Sequence, residues 1–259
     1  MFGFLRNKNN NPANNWKFVQ TDIHSHILPG IDDGAKTIHD SIGLIKNMYN
    51  HGFRKMVATP HISEDIYPNA KETILERRDL VREKVAALKI DMKIDAAAEY
   101  MIDERFVSLA ESEEGLLTIH GNHVLVEMSY LLESPFLHTA LFTMQTRGYQ
   151  PILAHPERYN FYHNDLEKYD ELKEKGCLFQ LNTIAFSGYY GKNVKKTAEY
   201  LFNKNMYDYC GSDIHHLRHI QALNSVLKSK IFNQLQEYPF LNNSVAMEEV
   251  FSEVHTLVG

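Results

Sequence analysis

The sequence predicts an α/β fold close to a (β/α)8 barrel with one strand–helix unit missing. Short apolar segments alternate along the chain with longer segments of helical pattern, which is typical of a parallel sheet. Gly52, Gly148 and Gly176 each follow a helical segment, where a helix C-cap is expected. The chain has 259 residues, a length at which α/β barrels often form a single domain.

Seven strand–helix units account for the chain after a short leader. The predicted strands cover residues 17–23, 55–59, 94–98, 123–127, 151–154, 178–181 and 207–210. The predicted helices lie near residues 38–50, 70–88, 103–110, 135–147, 165–175, 192–204 and 217–229. Residues 1–16 are rich in asparagine and predict a disordered leader, so the predicted domain covers residues 17–259. The tail after about residue 230 is expected to add a helix or an oligomer contact.

Composition and charge exclude several classes of protein. The chain is 44% hydrophobic and 23% charged, with a formal net charge of −6 and no long basic run. Nucleic acid is therefore disfavoured as the main partner, because a phosphate backbone demands a surface rich in Lys and Arg. No apolar run approaches the ~20 residues of a membrane span, and the first six residues are too lightly apolar for a signal peptide. We therefore expect a cytoplasmic protein.

The chain has two cysteines, Cys177 and Cys210, and each lies among apolar or aromatic residues. We expect both to be buried small hydrophobic side chains, since two cysteines do not make a disulfide framework. A cysteine phosphatase is disfavoured as well. Its phosphate loop would end in Arg, but the residues six positions further on are Thr183 and His216.

His, Asp and Glu residues lie at or just after the ends of almost all the predicted strands. In chain order these residues are His24, His26, His61, Glu99, Glu127, His155, Asp213 and His215. In a parallel barrel all strand carboxyl ends open on one face, so these side chains should converge there. A single histidine is often an ordinary core or surface residue, and Glu99 alone could cap a loop. The joint pattern has no such explanation, because buried ionisable groups are costly.

This set of His, Asp and Glu predicts a divalent metal site. Manganese, iron, zinc and magnesium all accept such ligands, and no thiolate is among them. The spacing of His24 and His26 directs both side chains to the same face of a strand. There are more ligands than one tetrahedral ion needs, so more than one metal is implied. Arg158, three residues after His155, suits a pair of phosphoryl oxygens, and a multi-metal site suits phosphate ester hydrolysis.

Five motifs resemble the PHP (polymerase and histidinol phosphatase) superfamily. They are Asp-Ile-His-Ser-His-Ile-Leu-Pro-Gly-Ile-Asp-Asp-Gly from residue 22, Thr-Pro-His from 59, Glu-Tyr from 99, His-Pro-Glu-Arg-Tyr from 155 and Gly-Ser-Asp-Ile-His from 211. Within the superfamily they resemble the CpsB/YwqE-like, manganese-dependent protein-tyrosine phosphatases of bacterial capsule and exopolysaccharide gene clusters. The resemblance covers about residues 17 to 230.

The resemblance implies a distorted (β/α)7 TIM-like barrel of the PHP type with three metal ions, most readily manganese. One metal would bind His24, His26, Glu99 and Asp213, and Glu99 would bridge to a second that Glu127 and His155 complete. A third would bind Asp33, His61 and His215. Asp33 is chosen over Asp32 by its position in the motif.

The resemblance also implies a reaction, the hydrolysis of phosphotyrosine on the tail of a bacterial tyrosine kinase. A metal-held hydroxide would attack phosphorus while Arg158 holds the phosphoryl group. Arg218 is the candidate for a second phosphate-binding arginine, although it lies closer to His215 than the family's arginine does to the corresponding histidine. Two alternatives stay open: a phosphatase of a small metabolite such as histidinol phosphate, and a non-catalytic metal-binding interaction protein.

Overall fold

A computed structural model describes residues 15–245, which form nine strands and eight α-helices. The strands are β1 (Thr21–Asp22), β2 (Lys55–Ala58), β3 (His61–Ile62), β4 (Lys93–Ala96), β5 (Glu99–Met101), β6 (His123–Glu127), β7 (Gln150–Ala154), β8 (Leu178–Asn182) and β9 (Tyr209–Gly211). The helices are α1 (Ile38–Asn50), α2 (Lys71–Ala87), α3 (Glu104–Glu111), α4 (Leu137–Thr146), α5 (Glu167–Glu174), α6 (Lys192–Asn203), α7 (Leu217–Leu227) and α8 (Ile231–Glu237).

The strands form a curled parallel sheet in two parts. One part has the order β1-β2-β4 and the other the order β3-β5-β6-β7-β8-β9, and every pair of neighbouring strands is parallel. An isolated parallel bridge pairs Ser25, just beyond β1, with Ile214, just beyond β9. The curl therefore brings the carboxyl ends of the first and last strands together at the same rim.

The short strands β3 and β5 were not predicted, and each continues the path of the strand before it. Thr59 and Pro60 separate β2 from β3, and Ala97 and Ala98 separate β4 from β5. The Ala97 amide donates to Ala58 (2.8 Å), and the Glu99 amide donates to Pro60 (3.1 Å). These bonds keep the two paths adjacent up to the rim.

The first predicted strand was wrong over most of its length, because residues Trp16–Phe18 form a 3-10 helix. The Asn15 side chain caps this helix by accepting a hydrogen bond from the Lys17 amide (3.1 Å). Trp16 is fully buried, with its ring 5.2 Å from the Phe232 ring of α8. Trp16 therefore belongs to the folded core, although we expected it in the leader; residues 1–14 of that leader lie outside the described residues.

The helices begin and end where the sequence provides the signals. Thr37 and Asp40 form a reciprocal capping box at the start of α1. Gly148 and Gly176 follow α4 and α5 with φ angles of +81° and +79°, a region that favours glycine. The helix expected in the tail is present as α8, while residues 246–259 lie outside the described part.

The core has two layers. Inside the curl lie apolar side chains from the strands and from residues close to their ends, joined from the tail by Val245: Ile23, Val57, Ala97, Ile119, Leu125, Ile152, Ala154 and Tyr209. Outside it, a larger cluster fills the space between strands and helices. Cys177 and Cys210 are buried and unbridged, as expected. Within residues 15–245, none of the helices has the length and apolar character needed to cross a bilayer.

Candidate metal centre

The residues that follow the strand ends meet at one rim of the curled sheet. His24 and His26 follow β1, Asp33 lies in the loop before α1, and His61 and Glu99 begin β3 and β5. The other four residues are Glu127 at the end of β6, His155 after β7, and Asp213 and His215 after β9. The structure thus brings all nine predicted metal ligands into one cluster.

Glu99 is fully buried at the centre of this cluster. Its Oε2 lies 3.2 Å from His24 Nε2 and 3.3 Å from His26 Nε2. The same oxygen lies 3.1 Å from His61 Nδ1, while Oε1 lies 3.0 Å from His155 Nε2. One carboxylate therefore faces four imidazoles, which is the position that a bridging ligand would need.

Asp213 is the second buried carboxylate of the cluster. Its Oδ1 lies 3.3 Å from His24 Nε2 and 3.4 Å from His26 Nε2. Its Oδ2 accepts hydrogen bonds from Arg158 Nη1 (2.7 Å) and Asn182 Nδ2 (2.8 Å). The φ of Asp213 is +50°, a strained region for a residue with a side chain. The chain accepts this strain where the carboxylate turns into the cluster.

Asp33 and Asp32 have different positions in the loop before α1. Asp33 Oδ1 lies 3.2 Å from His215 Nε2 and 3.4 Å from His61 Nε2, so it faces the cluster directly. Asp32 Oδ2 instead lies 2.8 Å from His26 Nδ1, on the side of the ring away from the cluster. Asp33 is therefore placed to bind a metal and Asp32 to orient a histidine.

Charge in the cluster is balanced between carboxylates and imidazoles. Burial raises the pKa of Glu99, but His24 and His61 outweigh it and hold that pKa well below its usual value. The pKa of Asp213 is also held well below its usual value, because His24 and His215 outweigh the effect of burial. Carboxylates that stay ionised when buried need cations beside them, and metal ions would serve in place of imidazolium groups.

Four sets of side chains have ligand atoms close enough to hold one ion each. In each set these atoms lie within 4.8 Å of one another. The sets are His26, Asp33, His61 and His215; His24, His26 and Asp213; His24, Glu99 and His155; and His61, Glu99 and Glu127. Shared members such as Glu99 mean that ions at these positions would be close neighbours.

One unsatisfied atom of the cluster, Glu99 Oε2, fits a bound cation. Glu99 Oε2 and His155 Nδ1 are buried and make no hydrogen bond to any residue of the described part. Buried polar atoms without partners are costly, and Glu99 Oε2 lies at the middle of the imidazoles, where a cation would satisfy it. The nitrogen and oxygen donors suit manganese, iron, zinc or magnesium. The residues present therefore fit divalent metal ions.

Sequence reasoning missed the polar residues of β8. Gln180 is fully buried, and its Oε1 lies 2.8 Å from His24 Nδ1 and 3.2 Å from the His155 amide. Asn182, two residues further on, donates to Asp213 and also to the Tyr190 hydroxyl (3.2 Å). The signal available in the sequence was a pair of polar residues, two positions apart, at the end of an otherwise apolar strand.

The two candidate arginines line different cavities. Arg158 lines a cavity of about 340 Å³ above the cluster, and its guanidinium carbon lies 4.5 Å from the centre of the Tyr190 ring. Arg218 is exposed on the first turn of α7 and lines a neighbouring cavity of about 650 Å³. Asp33 and His215 border both cavities. The structure thus places Arg158, and not Arg218, beside the buried carboxylates.

Fold and site together define an α/β protein with a candidate multi-metal centre at the rim of a curled parallel sheet. The family of capsular polysaccharide synthesis proteins CpsB/CapC matches residues 20–247, and the chain belongs to this family.

Named relatives agree with this assignment. The tyrosine-protein phosphatase YwqE of Bacillus subtilis (strain 168) is 28% identical over 220 residues, which cover 83% of this chain and 86% of YwqE. The tyrosine-protein phosphatase CpsB of Streptococcus pneumoniae is 30% identical over 201 residues, covering 76% and 83%. A solved structure from a study of these two metal-dependent tyrosine phosphatases superposes with a TM-score of 0.74 at 27% identity, covering 84% of this chain and 91% of that one.

Proposed function

We propose that this protein is a metal-dependent phosphatase that hydrolyses phosphotyrosine in proteins. The observation that carries the proposal is the cluster of nine His, Asp and Glu side chains with Arg158 at its edge. Relatives in the same family are named tyrosine-protein phosphatases, which supports the choice of substrate class.

The proposed centre holds three divalent ions, with manganese as the first candidate. One ion is assigned to His24, His26, Glu99 and Asp213, a second to Glu99, Glu127 and His155, and a third to Asp33, His61 and His215. The sets of adjacent ligand atoms support the third ion, whose residues form one set with His26, and the grouping of His24, His26 and Asp213 for the first. Glu127 and His155 are each close to Glu99, but in separate sets. Bound divalent ions would activate water as the nucleophile and would hold the phosphoryl oxygens.

Arg158 is proposed to bind the phosphoryl group through its planar guanidinium. Asp213 and the Tyr190 ring hold this guanidinium from two sides and fix its direction before substrate binds. Burial lowers the pKa of Arg158, but Asp213 outweighs that effect, so the guanidinium stays charged. Arg218 is proposed to contact the substrate from the neighbouring cavity.

Two further proposals concern the fold and the protein substrate. We propose that the curled sheet is a distorted (β/α)7 barrel, which the Ser25–Ile214 bridge between the first and last strand paths supports. The proposed substrate is a bacterial tyrosine kinase of polysaccharide synthesis, and the family description supports the link to capsular polysaccharide. A cytoplasmic location stays a prediction from the sequence, which leaves the oligomeric state open.

The test is phosphate release from a phosphotyrosine peptide by the purified protein, with manganese and with a chelator. Histidinol phosphate at the same concentration is the competing substrate. Arg158→Ala should lower kcat/KM on the peptide by about 100-fold, the size expected when one charged group that stabilises the transition state is removed. Absence of activity with every divalent metal would refute the proposal, and a preference for histidinol phosphate would assign the site to a small metabolite.

A further inference from the structure

The cavity above the metal cluster has a polar floor and an apolar rim. Glu99 and Asp213 lie on its floor with Arg158 beside them. The rim includes four large side chains from two loops, which we call the apolar collar: Ile66 and Tyr67 after β3, and Tyr130 and Leu131 after β6. A ligand that fills this cavity therefore meets charge at one end and apolar surface at the other.

Three of the four collar residues are exposed although they are large and apolar, and Tyr67 is half-buried. The exposed fractions are 69% for Ile66, 68% for Leu131 and 54% for Tyr130. The second loop is tied down, since the Asn160 amide donates to the Tyr130 carbonyl oxygen (3.2 Å). Contiguous apolar side chains that a fold holds at the mouth of a cavity mark a binding surface.

Tyr67 joins the collar to the metal cluster. Its ring is stacked on the His61 ring at 5.3 Å between centroids and 15° between planes. Its backbone is fixed, because the Tyr67 amide donates to Ser63 Oγ (3.0 Å) and the Ser63 amide donates to the Tyr67 carbonyl oxygen (3.0 Å). An aromatic face thus begins directly beside a candidate metal ligand.

We propose that the apolar collar binds the aromatic ring of the substrate and makes the site selective for aryl over alkyl phosphate monoesters. The inference rests on the proposed function. A phosphotyrosine side chain has the matching polarity, with an anionic group for Arg158 and the cluster and an apolar ring for the collar. A phosphoserine side chain or a small polar phosphate would leave most of the collar in water and would gain little from it.

Binding of two non-hydrolysable probes to the manganese-loaded protein tests the collar directly. Phenylphosphonate and methylphosphonate share the anionic group and differ in the ring, and calorimetry gives both dissociation constants. We expect phenylphosphonate to bind about tenfold more tightly, the gain expected from burying one ring face. Equal affinities of the unaltered protein for the two probes would overturn the proposal.

Variants at exposed positions assign the selectivity to the collar. Leu131→Ala and Ile66→Ala should each weaken phenylphosphonate binding by about twofold to threefold, and methylphosphonate binding should stay unchanged. Phe142→Ala is the matched control, because Phe142 is 69% exposed on α4 and does not line the cavity. If the control loses as much affinity as the collar variants, or if the collar variants lose none, the proposal is wrong.

Hydrolysis of a phosphotyrosine peptide, measured in parallel, separates this inference from the proposed function. If the protein prefers phenylphosphonate but releases no phosphate from the peptide, ring binding by the apolar collar is supported and the proposed function is refuted. A protein that hydrolyses the peptide but binds both phosphonates equally refutes the collar alone.

Discussion

Replacing Asp32 by Asn should impair metal binding or stability, although the two side chains have the same shape. The Asp32 carboxylate serves two donors with two oxygens: Oδ2 lies 2.8 Å from His26 Nδ1, and Oδ1 accepts from the Gly34 amide at 2.9 Å. Both contacts are buried. An asparagine offers only one acceptor oxygen, so one of the two donors must face an NH₂ group.

The size of the loss in metal affinity or stability depends on which of the two donors loses its acceptor. If the amide nitrogen faces His26, the imidazole must carry its proton on Nε2, the atom that lies near Glu99 and Asp213. That tautomer cannot bind a metal through Nε2, and the loss of such a partner typically costs ~10–100-fold in metal affinity, or about 1.4–2.8 kcal/mol. If it faces Gly34, a buried N–H is left without an acceptor, at about 1–3 kcal/mol of folding free energy.

Two measurements cover both cases. Competition with a fluorescent chelator gives the manganese affinity, and urea unfolding of the metal-free protein gives the free energy of unfolding. Asp65→Asn is the control, because it removes the same charge from an exposed position in the loop after β3. If Asp32→Asn matches the control in both measurements, the assignment of Asp32 as the residue that orients His26 is refuted.

Three further predictions concern packing, thiols and metal. Gly211→Ala should lower the free energy of unfolding by about 1–3 kcal/mol, because its Cβ would lie 2.5 Å from His24 Cβ. Gly43→Ala within α1 meets nothing within 4 Å and should instead raise it by about 0.5–1 kcal/mol; urea unfolding measures both. Cys177 and Cys210 should react with a thiol reagent only after unfolding, since burial raises both pKa values. Adding manganese at 100 times its dissociation constant should stabilise the fold by about 2.7 kcal/mol for each ion bound, which calorimetry can detect as a higher Tm.

The position of the site could be predicted from the sequence because parallel strands impose it. Almost all the ligands lie at or just beyond the end of a predicted strand, and parallel strands end at the same rim, so residues as distant in the chain as His24 and His215 had to meet. The division of labour between Asp32 and Asp33 could not be derived in this way. It depends on the loop, where the Gly34 amide holds the Asp32 carboxylate against His26.

The predicted boundaries of the first strand were wrong because side-chain packing overrides the local preference for a strand. The segment from residue 17 onward has the apolar pattern of a strand, yet its first residues turn into a 3-10 helix. Trp16 causes this change, because the helix lets its ring pack against Phe53 and Phe232. The contact between Trp16 and Phe232 joins residues more than two hundred positions apart, and no local window of sequence contains it.

Two of the residues that orient the ligands come from β8, a strand that contributes no ligand itself. Gln180 holds His24 through Nδ1, and Asn182 holds Asp213 through Oδ2, so both supports act on atoms that face away from the shared centre. Since strand side chains alternate, the two residues necessarily point to the same face of β8. Both residues have neutral amide side chains. They can therefore fix the tautomer of a histidine and the position of a carboxylate without adding charge to the cluster, which already holds four carboxylates.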